Sequence, residues 1–235
     1  MISFSIITCA REFDKYLIEC VESVKRQSCT RWKHTIIVDN CNLERLDFGG
    51  KTAASSNVVP VGAAANIWSL LMHAQRAPNT VIVMLDGDDR LADGALDILS
   101  EVYRDKSVWA TYGSYDCDSG DPARYCGVYG PKDNLRTAHW NGSHLKTFRT
   151  SIARYIRNKW LCDRYGRWLT AGSDMAIMIP ILEMCGPKHR AHINRVLCHY
   201  NDVNPNNDHK VNAKAQKEAE DYIRRTKAER HLGVL

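Results

Sequence analysis

The stretch VIVMLDGDDRL, residues 81–91, runs five apolar residues straight into three acids within four positions, Asp86, Asp88 and Asp89. The apolar run opens after the turn residues Pro78 and Asn79 and reads as a strand buried on both faces. Ending it on carboxylates is costly. Two unit charges about 4 Å apart repel by on the order of 4 kcal/mol at an effective dielectric near 20. That cost is relieved if the acids point into water. It becomes useful if a divalent cation, or the phosphates it carries, sits among them.

Outward from this strand, the first 115 residues alternate between two periods. Residues 2–8 (ISFSIIT) read as a strand, and 12–27 as a helix with Tyr16, Leu17, Cys20, Val21 and Val24 on one face. Residues 33–40 (KHTIIVDN) are a short strand ending on Asp39, followed by a Gly-Gly break at 49–50 and a weak strand at 57–61 (NVVPV). Residues 62–75 form a helix opened by glycine, 93–105 another helix, and 108–116 another strand. Strands alternating with helices indicate βαβ units and a mainly parallel sheet. Ligands of such sheets bind outside the carboxyl ends of the strands, so Asp39 and Asp86 are expected to face one crevice.

The second half differs in character. Residues 116–145 are rich in Gly, Asp, Pro and Tyr and read as loops or short strands, and the Asn141-Gly142-Ser143 sequon marks a turn. From Lys146 to Arg167 there are seven Lys/Arg residues against Asp163, with Lys146, Arg149, Arg154 and Arg157 at roughly helical spacing. Residues 168–187 pass from loop to apolar helix with Ser173 or Asp174 at its start, 193–200 form a strand, and 210–231 a mixed-charge helix acting as a structural cover.

Composition bounds the rest. The chain has 235 residues, long enough for a substantial core, with 44% apolar and 25% charged residues. A net charge of +5 is too small to argue for nucleic acid but suits an anionic ligand. The nine cysteines include no CxxC pair, so neither a zinc ribbon nor a thioredoxin-type site is indicated. The N-terminus reads as a strand and not a signal peptide, and no apolar run approaches 18 residues. A soluble protein of the reducing cytoplasm is expected, with peripheral membrane contact left open.

Several chemistries own an Asp-x-Asp at a strand end. A calcium loop counted from Asp86 needs Gly and Glu where Leu91 and Asp97 stand, so that reading fails. A haloacid-dehalogenase-type phosphohydrolase wants Thr or Val where Arg90 stands and places its strand first, not about fourth. A solvated strand end that caps the helix from 93 needs no ligand at all. A fourth owner fits more of the chain. The first strand SIITCARE, the second ending IIVDN, the helix start GAAANIW, the strand-plus-acid LDGDD and the later Ser-Asp-led helix resemble, in order and spacing, glycosyltransferase family 2 over roughly residues 3–200. Those enzymes are nucleotide-sugar-dependent transferases.

The resemblance implies an α/β fold of GT-A type: a Rossmann-like, mainly parallel central sheet flanked by helices, with a smaller acceptor-side region. It implies one domain, with a nucleotide-sugar-binding half (1–115), an acceptor and catalytic half (116–205) and a C-terminal helix (206–235). It further implies an inverting transfer from a nucleotide diphosphate-sugar, with uridine diphosphate the expected nucleotide, to a hydroxyl of a glycan or other acceptor, assisted by Mn2+ or Mg2+. On that reading Asp88 holds the metal with Asp89 beside it, Asp86 contacts ribose, Asp39 the base or ribose, and Thr8 and Arg11 line the nucleotide pocket. Asn66 belongs to the family's Arg-Asn pair, but Ala65 replaces the Arg, so a cation from 146–167 is expected on the diphosphate instead. Asp174 matches the catalytic base, while Ser173 replaces the acid that usually precedes it. Asp174 also reads as a helix cap.

Three residues are weighed against duller roles. His199 stands where some GT-A enzymes place a last metal or phosphate ligand, and His209 follows it, though a lone His is more often a satisfied surface or core residue. Trp140, beside His139 and His144, offers a face for an acceptor sugar, though Trp is commonly core. Ser173 and Ala65 also keep open a non-catalytic nucleotide-sugar-binding module.

Overall fold

The computed structural model describes residues 1–39, 47–77 and 79–233, with the side chains of Asp208 and His209 outside that description, as is Pro78. Its frame is an eight-stranded sheet in the order β3-β2-β1-β4-β7-β6-β8-β5. The strands are β1 Ser3–Ala10, β2 Trp32–Val38, β3 Thr52–Ser56, β4 Thr80–Met84, β5 Arg90–Leu91, β6 Ala110–Cys117, β7 Lys146–Arg149 and β8 Arg190–Tyr200. β3, β2, β1 and β4 are mutually parallel. β7 runs antiparallel between β4 and β6, and β8 is parallel to β6. The helices are α1 Lys15–Lys25, α2 Ala63–Ala74, α3 Ala95–Val102, α4 Thr150–Ala153, α5 Ser173–His189, α6 Asp208–Val211 and α7 Ala213–Arg225.

β4 and most of β1 are apolar on alternate residues of both faces because both faces are covered. In β1, Ile6 joins the cluster under α1 and α3, with Cys20, Val24, Leu96 and Leu99. Its neighbour Ile7 joins the opposite cluster, with Leu70 and Leu71 of α2 and Ile177 and Ile181 of α5. β4 alternates in the same way, Val81 and Val83 on one face and Ile82 and Met84 on the other. Each such side chain contributes roughly 1.5–3 kcal/mol on burial. From Met175 to Cys185, α5 is apolar and buried at every position but Glu183, which pairs with Arg136 at 2.7 Å. Asp14 starts α1 by accepting the Leu17 amide at 3.0 Å.

Three sequence expectations are corrected. The weak strand falls on Thr52–Ser56, paired in register with His34–Val38, and not on 57–61. Val58 and Val59 are exposed, and Pro60 has no amide to offer a ladder. The basic stretch from 146 is no single helix: it is β7, the one-turn α4 and a 3-10 turn at Asn158–Leu161. The last helix ends at Arg225, and the following residues lie along α5, where Leu232 N donates to Met184 O at 2.9 Å.

Candidate active site

The carboxyl ends of β1, β2 and β4 and the start of α5 enclose a cleft of about 540 Å³. Its near wall is Cys9 and Ala10 at the end of β1 with Arg11 just past it, Asp39 after β2, and Pro60, Gly62 and Asn66 around the start of α2. Asp86, Gly87 and Asp88 form its floor, and Thr170, Ser173 and Asp174 its far side. Tyr200, Asn204, Asn206, Asn207 and Gln216 close the remaining edge.

Near-wall geometry is set by one carboxylate. Asp39 accepts Gly62 N at 2.7 Å, Val61 N at 3.1 Å and Asn57 Nδ2 at 2.9 Å. Burial opposes its charge, but these donors outweigh burial and hold its carboxyl below the usual range. The second hydrogen of Asn57 goes to Asn66 Oδ1 at 2.8 Å. Because a carboxylate only accepts, Asn57 must present its amide nitrogen, so Asn66 must present oxygen to it. The Nδ2 of Asn66 is then left buried without a hydrogen-bond partner. Thr8 does not line the cleft: it is fully buried, and its hydroxyl meets His34 Nε2 at 2.9 Å.

On the floor, β1 and β4 are drawn together at Gly87. Its amide donates to Cys9 O at 3.1 Å, and a Cβ there would stand 2.7 Å from Ala10 Cβ and 2.9 Å from Cys9 O. Only glycine fits between the two acids that flank it.

Each acid has its own partners. Asp86 Oδ2 accepts Lys146 Nζ at 2.8 Å and meets His144 Nε2 at 3.1 Å. Burial works against this carboxylate, but Lys146 and then His144 hold its pKa far below normal. Asp89 is fully buried; its Oδ1 accepts Asn201 N at 3.0 Å and its Oδ2 lies 3.1 Å from the same His144 nitrogen. Burial and Lys146 push His144 down, yet Asp89 and Asp86 prevail and raise it to about 9. Lys146, with no exposed surface, is likewise raised, because Asp86 and then Asp174 outweigh its burial. Asp88 differs. Its carboxylate accepts the neutral Asn204 Nδ2, at 2.8 Å, and its own backbone amide, while burial and the charges of Asp89 and Asp86 raise its pKa to about 7.

One ligand atom each from Asp86, Asp89 and His144 lies within 4.8 Å of the others, a spacing that could hold a metal ion. Without a metal, the imidazolium favoured at His144 supplies the positive charge there, and a metal bound at this spacing would have to displace its proton. Asp88 lacks such a counter-charge. Glu12, Asp14, Asp39, Asp86, Asp88 and Asp174 line the cleft against Arg11 as the one Lys or Arg among the described residues. A polyanion entering this cleft needs a cation with it, and an oxygen-lined wall suits Mg2+ or Mn2+.

His199 and Trp140 are not brought to the cleft. His199 Nδ1 lies 2.6 Å from Asp116 Oδ1 and the residue borders a separate surface cavity with Arg26 and Arg90. Trp140 is 7% exposed in the core beneath α5, its ring lying so close to residue 142 that a Cβ there would stand 2.7 Å from it. The expected diphosphate cation from 146–167 is corrected too. Lys146 is committed to Asp86, and Arg149 donates to the carbonyls of Val108, Tyr103 and Asp105. Arg11 lines the cleft instead. Asp174, in the first turn of α5, lines it beside Ser173.

Sequence reasoning missed His144, Asn201, Asn204, Tyr200 and Gln216. The run HLKTF carries no period-2 alternation, so the only signal for Lys146 was a lysine between Leu145 and Phe148, which needs an acid if the segment is buried.

No protein-family model and no curated protein sequence matches the chain. Solved structures do. The chain is similar to S. aureus TarS at 13% identity and a TM-score of 0.63, over 86% of this chain and 37% of that one. It is similar to TarS 1-349 in complex with UDP at 12% identity and 0.63, over 85% and 60%. A third is the mannosyltransferase PcManGT from Pyrobaculum calidifontis in complex with GDP-Man and Mn2+, at 14% identity and 0.53, over 84% and 56%. The chain thus spans between about a third and three-fifths of their lengths. Likeness at these identities establishes the fold, which is of GT-A type.

Proposed function

We propose that the protein is a metal-dependent, inverting glycosyltransferase of family 2 type, moving a sugar from a nucleotide diphosphate-sugar to a hydroxyl of a glycan or other acceptor. The observation that carries this reading is Asp88, a cleft carboxylate on a GT-A frame with no cationic partner and a pKa raised to about 7. The nucleotides in the solved structures it resembles, UDP and GDP-Man with Mn2+, support the donor class. A uridine diphosphate-sugar is the first donor to test.

Asp88 would hold Mn2+ or Mg2+, which when bound supplies positive charge to the departing diphosphate. Arg11 faces the same diphosphate from the β1 side. Asp39 and Asn66 offer an acceptor and a donor to the base or ribose, and Asp86, fixed by Lys146 and His144, accepts from a ribose hydroxyl. Asp174 takes the proton of the acceptor hydroxyl as its oxygen bonds to the anomeric carbon and the sugar–diphosphate bond breaks. One displacement with one base inverts the anomeric centre.

Calorimetric binding of a nucleoside diphosphate panel, with and without Mn2+, tests the donor site. Manganese-dependent binding of one nucleotide, abolished in Asp88→Asn, is expected; binding of none removes the transferase reading. A second reading, a binding module without catalysis, is favoured by Ser173 and Ala65. Asp174→Asn separates the two, since loss of transfer with donor binding intact fits only an enzyme.

A further inference from the structure

Opposite in sign to the cleft is the surface that leads up to its far rim. Residues 154–168 contain Arg154, Arg157, Lys159, Arg164 and Arg167 against Asp163 alone, a net +4 of the chain's +5. All five cations are exposed. Among them stand three exposed aromatics, Tyr155 (41%), Tyr165 (68%) and Trp168 (37%). Large aromatics left in water beside a concentration of like charge are unusual on a surface with nothing to meet.

The segment is ordered from within. Leu161 and Leu169 are buried, and Leu169 N donates to Leu161 O at 2.8 Å, closing a small loop that is bridged again between Cys162 and Trp168. At the tip, Asp163 accepts the Tyr165 amide at 2.8 Å and the Arg167 amide at 3.0 Å. Gly166 supplies the positive φ of 78° that the turn needs. The guanidinium groups of Arg164 and Arg167 lie 4.9 and 5.1 Å from the Tyr165 ring centre. The result is a fixed knob with a ring flanked by two cations. Two residues beyond Trp168, Thr170 already lines the cleft.

We propose that residues 154–168 dock the protein on the surface of an anionic phospholipid bilayer. Tyr and Trp, with an apolar body and a polar tip, settle at the headgroup boundary. Arg and Lys lay their stems along the apolar zone while their heads meet lipid phosphates. No helix among the described residues is long and apolar enough to cross a membrane, so the contact is peripheral. A soluble polyanion fits less well, because it asks for a cation-lined groove with bases or sugars stacked inside it. Here the three aromatics are exposed and line neither cavity, and one of the five cations is already tied to Asp163. Docked this way, the Thr170 side of the cleft faces the lipid surface. The inference stands apart from the transfer chemistry.

Co-sedimentation of the full chain with vesicles of phosphatidylcholine, with and without phosphatidylglycerol, tests it. Binding is expected only with phosphatidylglycerol, and to weaken as salt is raised. Arg154→Glu and Arg157→Glu should each lower vesicle affinity by at least about fivefold. Tyr165→Ser should lower it with all charges intact, and unchanged melting temperatures would show that the variants are folded. The proposal is overturned by equal binding to neutral vesicles, by binding to neither, by variants that bind as the parent does, or by binding to heparin without binding to vesicles.

Discussion

The two ends of the chain divide the cleft between them. Residues before 90 supply the acids of its floor in a tight run, Asp86 and Asp88, with Asp89 fully buried beside them. Everything that balances them arrives from far along the chain: His144 and Lys146 by way of β7, Asn201 and Asn204 beyond β8. The acid run is therefore stable only as a tertiary arrangement. In an unfolded chain water would screen these charges, whereas in the folded one each acid depends on a partner at least 58 residues away. A motif that looks local in sequence is held by the part of the molecule that carries no motif.

Breaking the later contribution should cost most. Lys146→Ala leaves Asp86 without its closest cation; because the Asp86 side chain is 44% exposed and water shares its charge, the loss expected is about 3 kcal/mol of unfolding free energy by urea titration. Asp88→Asn, on the early side, should by contrast leave apo stability at pH 8 unchanged or raise it, since it removes repulsion. Equal losses in the two variants would erase the distinction drawn here.

Next in size is catalysis. Asp174→Asn should reduce kcat on the order of a hundredfold, about 3 kcal/mol in barrier, with the nucleotide Kd unmoved. A parallel rise in Kd would demote Asp174 to a helix cap.

A smaller effect is a slope in pH. His144 is raised from 6.5 to about 9 in the folded protein, so the stability it contributes is complete below pH 6.5 and is lost as the pH climbs through 9. The melting temperature of the metal-free protein should fall across that window by the equivalent of on the order of 2 kcal/mol, and His144→Gln should flatten the curve. An identical slope in both proteins would mean that other groups carry it. Smallest is Asn57→Ala, expected to cost about 1 kcal/mol and to weaken nucleotide binding through Asp39 and Asn66. Unchanged binding would show that this amide pair only braces the loop.

Legibility in the sequence follows the same division. The alternating half was readable because strands covered on both faces are apolar throughout and helices carry a stripe, and these patterns survive without knowing the neighbours. Asp39, Asp86 and Asp88 could be placed at the crevice for the same reason: strand ends are topological facts. The false strand at 57–61 shows the limit of composition, since three valines and a proline make an exposed loop while TAASS, poor in strand formers, pairs with β2. Trp140 and His199 were misplaced because a single aromatic or imidazole has no periodicity to say which way it points. The partners of the acids were invisible for a stricter reason. Nothing in NDVNPNND announces that Asn204 meets a carboxylate 116 positions earlier; only the folded sheet brings them together.

Gly87 gives the cleft a fixed gauge. With no side chain between the strand ends, the backbone carrying Arg11 and the backbone carrying Asp88 are set at one separation, whatever happens on the rim. Attempts to retune which ligand the cleft accepts therefore have two kinds of ground to work on. Loops around Pro60, Asn206 and Gln216 can be varied as one exchanges the jaws of a vice. Position 87 is its screw, and a library that randomised it would return glycine or a protein that no longer grips.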